Sequence, residues 1–381
     1  MAIPTAVVGC GSIAQGAHLP NLSGSPNFDL RIVCDRDDAL AGEAAAQWSV
    51  PETCTDWRRV VESDGIELIV LCTHTNLRAE LICAAARAGK AVYAEKPLAA
   101  NFEEMLRIEQ VVGETGAAVC VGHNRRSSPA VEEFRRLFDL ARERGADRPA
   151  VLDRTGGVRE PIPEETRPQL LLRVNDDART WKPWVFEDRE GILLIEMVHF
   201  IDLALWLMGR RPVEVDAVGS NRGNVTAMIR FDDDSAATLF HTMVGNFDYP
   251  KELFEATARN VTIALDHHLE VRQRGLEDEP FRSFFPLQSG AELTDRPGIE
   301  GYYEATDRLQ ELRRAGGEAP CPMVFPNKGH AEHMERFGRH LRGDGPNPCP
   351  VDGAVLVTRV GLRLLESARE GRRVSLGEEP G

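Results

Sequence analysis

Over the first 122 residues, short apolar runs alternate with amphipathic segments, and no other feature of the sequence restricts the fold as strongly. Asn101 is a candidate N-cap for the last of these segments. Apolar strands separated by helices form a parallel sheet that is covered on both faces. We therefore predict an α/β, doubly wound domain with strands at Ala6–Gly9, Leu30–Cys34, Leu68–Cys72, Ala91–Ala94 and Ala118–Gly122, and helices near Ala14–Asn21, Asp38–Gln47, Arg78–Gly89 and Phe102–Thr115.

The pattern changes after Pro129, where several strands follow one another without helices between them. Consecutive strands imply an open, mostly antiparallel sheet, so the second domain is predicted to be α+β. Residues 160–191 are predicted to form a connection, and residues 276–326 have no assignment. The domains are predicted at 1–124 and 125–381, and the last helices could pack back on the N-terminal domain. The predicted strands lie near Ala150–Arg154, Val213–Ser220, Thr226–Phe231, Ala236–Met243, Val261–Asp266 and Leu269–Arg274, and the helices at Val131–Arg144, Leu193–Met208, His330–Arg342 and Ala354–Glu370, the last capped by Asp352.

Composition excludes several classes of partner. The chain has a net charge of −15, whereas proteins that bind nucleic acids present basic surfaces. The longest apolar stretch, Gly191–Gly209, contains three ionisable residues, so no membrane span is expected. No signal peptide is apparent, and the eight cysteines lack C-x-x-C spacing. We therefore expect a cytoplasmic protein with reduced thiols and no metal site.

A glycine motif follows the first predicted strand. The segment AVVGCGSIAQGAHLP places Gly9, Gly11 and Ala14 in a G-x-G-x-x-A pattern. Such glycines allow a tight turn and the close approach of a pyrophosphate to a helix N-terminus. Asp35 ends the second strand, where a carboxylate accepts hydrogen bonds from the adenosine ribose and favours NAD over NADP. The adjacent Arg36 leaves NADP open, because an arginine could hold the 2′-phosphate.

Two other places carry ionisable groups in positions that suggest chemistry. Lys96, in VYAEKPLA, follows a strand at the end where doubly wound sheets bind ligands. Glu196, His199 and Asp202 are spaced by three residues in an otherwise apolar helix, so they share one face. Burying three ionisable groups is unfavourable unless they are paired or face a cavity. They therefore form either a closed structural network or part of a site.

These segments together resemble the glucose–fructose oxidoreductase, inositol dehydrogenase and MocA (Gfo/Idh/MocA) family. The resemblance rests on VVGCGSIAQGAHLP, AELICAAARAGKAVYAEKPLA, VGHNRRSSPA, GILLIEMVHFIDLALWLMG and KGHAEHMERFGRHLRGDGPNP. It implies a Rossmann domain followed by a domain whose open sheet forms the interface of a homodimer or homotetramer. It also implies hydride transfer between nicotinamide and a hydroxyl or ketone of a sugar, cyclitol or related polyol.

The resemblance implies roles for individual residues. His199 would act as acid and base because an imidazole titrates near operating pH, and Lys96 would orient the substrate oxygen and stabilise alkoxide charge. Asp202 and Glu196 complete the catalytic set, with Asp202 orienting the imidazole. Lys96 and His199 are expected to flank one cavity beside the dinucleotide. The cofactor set is Gly9, Gly11, Ser12, Ile13, Asp35, Arg36, Thr73, Asn76, Glu95 and Lys96, and the substrate candidates are Asn124, Arg125 or Arg126, Arg173, Asn175, Trp181, Trp184 and His199.

The chain departs from the commonest family pattern in three places. Ile195 stands where many members have an aspartate four residues before the histidine, and Glu196 is a possible replacement. Arg78 stands at the usual histidine of the segment after the fourth strand, and CTHTN lacks a proline. Two alternative functions follow: a glycosidase or epimerase that recycles bound NAD through transient oxidation, and an inactive dinucleotide or sugar sensor.

Overall fold

The computed structural model describes residues 2–147, 151–152, 155–159, 167–187 and 191–377. The chain forms two compact units, Met1–Ser127 with Gly329–Leu362, and Ser128–Lys328 with Arg363–Gly381. The last long helix begins in the first unit and ends in the second. Among the described residues, no helix combines the length and apolar character needed to cross a bilayer.

The helices and strands are numbered in chain order. The helices are α1 (Leu19–Gly24), α2 (Asp38–Trp48), α3 (Trp57–Glu62), α4 (Thr75–Arg87), α5 (Phe102–Thr115), α6 (Pro129–Arg144), α7 (Trp184–Glu187), α8 (Val198–Met208), α9 (Gly298–Arg314), α10 (His330–Leu341) and α11 (Val351–Glu370). Single turns of π-helix, Ala14–His18 and Leu193–Met197, precede α1 and α8. Short 3₁₀ turns lie at Asn124–Ser127, Ala178–Thr180 and Ala291–Leu293.

The strands belong to two large sheets and two short pairs. They are β1 (Ile3–Val8), β2 (Phe28–Cys34), β3 (Glu52–Cys54), β4 (Leu68–Leu71), β5 (Ala91–Ala94), β6 (Val119–Val121), β7 (Val151–Leu152), β8 (Val158–Arg159), β9 (Gln169–Asn175), β10 (Pro212–Gly219), β11 (Val225–Phe231), β12 (Ala236–Thr242), β13 (Glu252–Ala258), β14 (Val261–Asp266), β15 (Glu270–Arg274), β16 (Arg282–Phe284), β17 (Leu287–Ser289), β18 (Phe325–Pro326) and β19 (Val374–Ser375). β7 pairs with β8, and β17 with β18.

The first unit contains a parallel sheet with strand order β3-β2-β1-β4-β5-β6. Its inner strands are apolar on both faces because helices cover both, and β4 is buried throughout. α5 begins where the Asn101 side chain accepts the Glu104 amide at 2.9 Å, and it ends at Gly116 in the left-handed region. The predicted doubly wound sheet and the Asn101 cap are confirmed.

The second unit contains a nine-stranded sheet with order β16-β15-β14-β13-β9-β12-β11-β10-β19. All pairings are antiparallel except that of β9 with β12, which is parallel. α6 packs against β13, β14 and β15, and α8 packs against β9 and β12. Phe254 of β13 contacts both Phe134 of α6 and Phe200 of α8, which marks one face of the sheet as the helix-covered face. The predicted open, mostly antiparallel sheet is confirmed.

Several expectations about local structure were wrong. The segment 160–191 was predicted to be a connection, but part of it forms β9, a central strand whose neighbours lie far away in sequence. β3, α3 and β13 were not predicted, and the unassigned segment 276–326 contains α9. Asp352 lies in the first turn of α11, because the helix begins at Val351. Of the strand predicted near Ala150–Arg154, only 151–152 fall within the described residues.

Candidate active site

The predicted cofactor residues of the first unit lie at one edge of its sheet. Gly9 follows β1, Asp35 follows β2, Thr73 follows β4 and Glu95 follows β5. The strands are parallel, so these residues share the carboxyl edge, and the strand order reverses between β1 and β4. Ligands of doubly wound sheets bind at such a reversal point.

The glycine turn leaves space that a side chain would fill. Gly9 has φ +96°, and a Cβ there would come within 2.8 Å of the Cys72 carbonyl carbon and oxygen. Gly9 therefore allows the turn to pass close to the end of β4. At Gly11 an added Cβ would meet nothing within 4 Å, so the backbone is open to an approaching group. Ser12 and Ile13 follow at the exposed start of the first helical segment.

Asp35 is fixed by the backbone around it. Its Oδ2 accepts the Cys10 amide at 2.8 Å, and its Oδ1 accepts the Asp37 amide at 3.0 Å. Carboxylate oxygens can accept further hydrogen bonds, so both remain available to ribose hydroxyls. Arg36 is exposed beside it.

The loop after β4 carries one polar atom that suits a ligand. The Thr73 hydroxyl oxygen is buried and has no hydrogen-bond partner among the described residues. Buried polar groups are nearly always satisfied, so this hydroxyl fits a bound molecule at the sheet edge. Asn76 is exposed in the first turn of α4. Arg78 is buried and donates to the carbonyls of Thr73 and Pro97, so it ties together the loops that follow β4 and β5.

Glu95 anchors the backbone of Lys96. Its Oε1 lies 2.7 Å from His18 Nε2, and its Oε2 accepts the Lys96 amide at 3.2 Å. Burial alone would raise the pKa of the Glu95 carboxyl, but the His18 hydrogen bond and charge outweigh it and lower the pKa to about 2. Glu95 therefore stays ionised at neutral pH. Its contact with His18 links the π-turn that precedes α1 to the end of β5. Lys96 itself is half-buried.

In the second unit the three predicted ionisable residues all lie on the buried helix. Glu196 belongs to the π-turn, while His199 and Asp202 belong to α8, and each is at most 5% exposed. Turns of π-helix within α-helices are frequent at functional sites. Glu196 Oε1 lies 2.8 Å from Lys251 Nζ, so this carboxylate belongs to an ion pair.

Sequence reasoning missed Lys251, the ion-pair partner of Glu196, and Asp176, which Lys251 also contacts, although it named Trp181 as a substrate candidate. Lys251 also contacts Asp176 Oδ2 at 2.7 Å, and the Trp181 indole donates to Asp176 Oδ1 at 2.8 Å. Burial would raise the pKa of Asp176, but the Lys251 ammonium and contacts from His241 and Trp181 hold it well below its ordinary value. Lysine is rare in this arginine-rich sequence, and this rarity drew attention to Lys251. It gave no indication of the partners of Lys251.

The substrate candidates fall into different environments. Asn124 and Arg125 are buried in the 3₁₀ turn after β6, and Arg126 is half-buried beside them. The Asn175 amide donates to Asn246 O at 2.8 Å, so it holds the loop after β12.

Arg173, another substrate candidate, is a half-buried residue of β9. Its neighbours along β9, Leu172 and Val174, are buried and point to the opposite face of the sheet. The register partner of Arg173 is Leu253, whereas Phe254, which lies on the helix-covered face, pairs with Leu172. Its guanidinium lies over the Tyr249 ring at 5.1 Å. Arg173 therefore lies on the sheet face opposite α8, and its contact with a substrate stays a prediction. The Trp184 side chain lies outside the described residues.

Comparison with known proteins identifies the family of two segments of the chain. Residues 3–123 match the model of the oxidoreductase family with an NAD-binding Rossmann fold, GFO_IDH_MocA. Residues 170–263 match the GFO/IDH/MocA C-terminal domain. The first unit is thus an NAD-binding Rossmann domain, in agreement with the Gly9 turn and Asp35.

Individual relatives are distant. Inositol 2-dehydrogenase of Rhizobium meliloti (strain 1021) is 26% identical over 272 residues, which are 71% of this chain and 73% of the relative. Myo-inositol 2-dehydrogenase of Thermotoga maritima is 28% identical over 215 residues, 56% of this chain and 57% of the relative. The crystal structure of a myo-inositol dehydrogenase from Corynebacterium glutamicum ATCC 13032 superposes with a TM-score of 0.71 at 18% identity and covers 100% of both chains. At that identity the superposition shows the fold alone.

Proposed function

Because the chain belongs to the Gfo/Idh/MocA oxidoreductase family, we propose that it transfers a hydride between NAD and a hydroxyl or ketone of a sugar, cyclitol or related polyol. The observation that best supports the proposal is the position of Lys96. It follows β5 at the carboxyl edge of the dinucleotide-binding sheet, and an ionised, buried Glu95 holds its amide. The relatives named as inositol dehydrogenases support the substrate class.

NAD, when bound, supplies the nicotinamide ring that accepts a hydride from the carbinol carbon. The Gly9–Gly11 turn would hold the pyrophosphate, Asp35 the adenosine ribose, and the loop with Thr73 the nicotinamide half. These assignments rest on the strand ends at which the residues lie and on the unsatisfied Thr73 hydroxyl.

The chain's own residues must move the hydroxyl proton. In oxidation the O–H bond breaks as the C–H bond gives up its hydride, and His199 accepts the proton. Lys96 donates a hydrogen bond to the same oxygen and stabilises the alkoxide charge that develops there. Asp202, one helical turn after His199, orients the imidazole. Reduction of a ketone reverses each transfer.

The test uses the purified chain with NAD and a panel of polyols, followed by the absorbance of reduced nicotinamide. Lys96→Ala and His199→Ala should each lower kcat by about 100-fold or more, as expected when an acid–base group is removed. The dissociation constant for NAD, measured by fluorescence titration, should remain within about twofold of wild type. Loss of NAD binding in either variant would reassign that residue to a structural role.

The same panel separates the alternatives. A glycosidase or epimerase would turn over its substrate without net formation of reduced nicotinamide and would need only catalytic amounts of NAD. A sensor would bind NAD and a polyol without turnover. Either result would replace the dehydrogenase proposal.

We also propose that the chain assembles as a homodimer or homotetramer through the sheet face opposite α8. On that face Phe240 of β12 and Leu171 of β9 remain exposed at 44% and 37%. A row of register partners, Val218, Thr226, Phe240 and Arg173, crosses four neighbouring strands there. Phe240→Glu should shift the mass measured by light scattering toward the monomer, because a charge would be buried in the interface. An unchanged mass would exclude this face.

A further inference from the structure

A buried polar cluster in the second unit joins three elements that are distant in sequence. Asp176 follows β9, Glu196 lies in the π-turn before α8, and Lys251 immediately precedes β13. The Lys251 ammonium bridges the two carboxylates at 2.7 and 2.8 Å. Asp176 is fully buried, Glu196 is 5% exposed, and the Lys251 side chain is 13% exposed. The cluster thus reaches solvent mainly through the lysine.

A buried histidine beside the cluster indicates that a partner is missing. His241 of β12 is 1% exposed, and its Nε2 lies 3.8 Å from Asp176 Oδ2, beyond hydrogen-bond distance. Neither ring nitrogen has a hydrogen-bond partner among the described residues. His241 pairs in register with the buried Val174, so it lies on the helix-covered face of the sheet. A buried imidazole with both nitrogens unsatisfied is unfavourable unless a polar molecule binds there.

The donors and acceptors of the cluster match a hydroxyl group. Carboxylates only accept hydrogen bonds and an ammonium only donates them, whereas a neutral imidazole does both. A hydroxyl can donate to a carboxylate and accept from Lys251 or His241 at the same time. The rings of Trp181 and Phe247, at 5.6 and 5.7 Å from Lys251 Nζ, give the apolar walls that the face of a sugar or cyclitol ring needs.

The charge of the cluster discriminates against acids. Asp176 and Glu196 place two carboxylates against the Lys251 ammonium in a buried region, where charges interact strongly. A substrate carboxylate could accept from Lys251 or His241, but it would face the carboxylates of both Asp176 and Glu196. An uncharged polyol meets no such repulsion.

We propose that Asp176, Glu196, Lys251 and His241 form a hydroxyl-binding subsite that selects uncharged polyols and rejects sugar acids. This inference rests on the dehydrogenase function proposed above, and it names the class of substrate. Glu196 lies three residues before His199, on the same stretch of helix, so the subsite adjoins the proton-transfer residue. It would bind hydroxyls other than the one that is oxidised.

The experiment measures binding and turnover separately on matched sugars. The NAD-bound chain is titrated calorimetrically with myo-inositol, and with the pairs D-glucose and D-glucuronate, and D-galactose and D-galacturonate. Each pair differs only in the oxidation state of one terminal carbon. We expect the uncharged member to bind at least about 10-fold more tightly, the effect of one charge-assisted contact. A wild-type chain that prefers the uronate would overturn the proposal.

Variants test the individual groups. Lys251→Met should weaken binding of the uncharged sugar by about 10- to 100-fold, with a larger change in KM than in kcat. Asp176→Asn keeps the acceptor for Trp181 but removes a charge, so the preference for the uncharged sugar should fall by about 10-fold. Glu311→Gln, at an exposed carboxylate of α9, is the matched control and should change neither quantity.

A purely structural ion network would give a different result. Lys251→Met and Asp176→Asn would then lower the melting temperature while KM and the preference stayed as in wild type, and the subsite would be excluded. The dehydrogenase proposal and the subsite proposal can each be refuted without refuting the other. Polyol binding that depends on Lys251 without any turnover would refute the dehydrogenase but keep the subsite, whereas turnover with unchanged KM in both variants would keep the dehydrogenase and refute the subsite.

Discussion

Replacing Glu95 by glutamine should destabilise the chain in a way that depends on pH. The carboxyl pKa falls from 4.5 to about 2 on folding, because the hydrogen bond and charge of His18 outweigh burial. Each pH unit of such a change is worth about 1.4 kcal/mol, so the ionised form contributes about 3 kcal/mol to the free energy of unfolding. In Glu95→Gln the amide oxygen can still accept from His18, but the charge is lost.

The sign of the pH dependence follows from the lowered pKa. The contribution is complete above the unfolded pKa of 4.5, and it is lost as pH falls toward the folded value of about 2. The difference between wild type and Glu95→Gln should therefore be about 3 kcal/mol near pH 6 and about 2 kcal/mol near pH 3.5.

Urea unfolding, followed by tryptophan fluorescence and circular dichroism across that pH range, measures the difference. Glu43→Gln, at an exposed position of α2, is the control and should change stability by less than about 0.5 kcal/mol. A gap between wild type and Glu95→Gln that stays constant or widens as the pH falls would show that Glu95 is not held ionised by His18.

Three further changes test the first unit. Asp35→Ala should weaken NAD binding by about 10- to 100-fold and reduce the preference for NAD over NADP in fluorescence titrations; an unchanged preference would remove Asp35 from the ribose site. Burial raises the pKa of the Cys10 thiol to about 12 and that of Cys34 above its ordinary range. Both should resist a disulfide reagent near pH 8 in the folded chain and react in urea, and rapid labelling of the native chain would contradict this. Gly9→Ala should lower the free energy of unfolding by about 2 kcal/mol or more, because the new Cβ would meet backbone atoms at 2.8 Å. Gly42→Ala, where the new Cβ meets nothing within 4 Å, should raise it by about 0.5–1 kcal/mol. Thermal unfolding measures both changes, and equal effects would refute the close contact at Gly9.

Sequence alone determined the elements whose pattern is local. The apolar runs with helical segments between them fixed the parallel sheet of the first unit, because strands covered on both faces must be apolar throughout. The glycine turn and Asp35 could be placed because each follows a strand directly, and strand ends share an edge. Helix 193–208 was equally clear, since an almost entirely apolar helix must be buried.

Only the tertiary structure decided how distant segments meet. β9 escaped notice because it lies within a polar, proline-rich stretch. It becomes a central strand through partners that are about 70 residues away in β12 and about 80 to 90 residues away in β13. The sheet face on which Arg173 lies depends on the register of β9 against β13, which the sequence alone does not give. Lys251 lies 55 residues from Glu196 in sequence and 2.8 Å from it in space. Ion pairs of this kind depend on the register of neighbouring strands, which is set by the packing of the whole sheet.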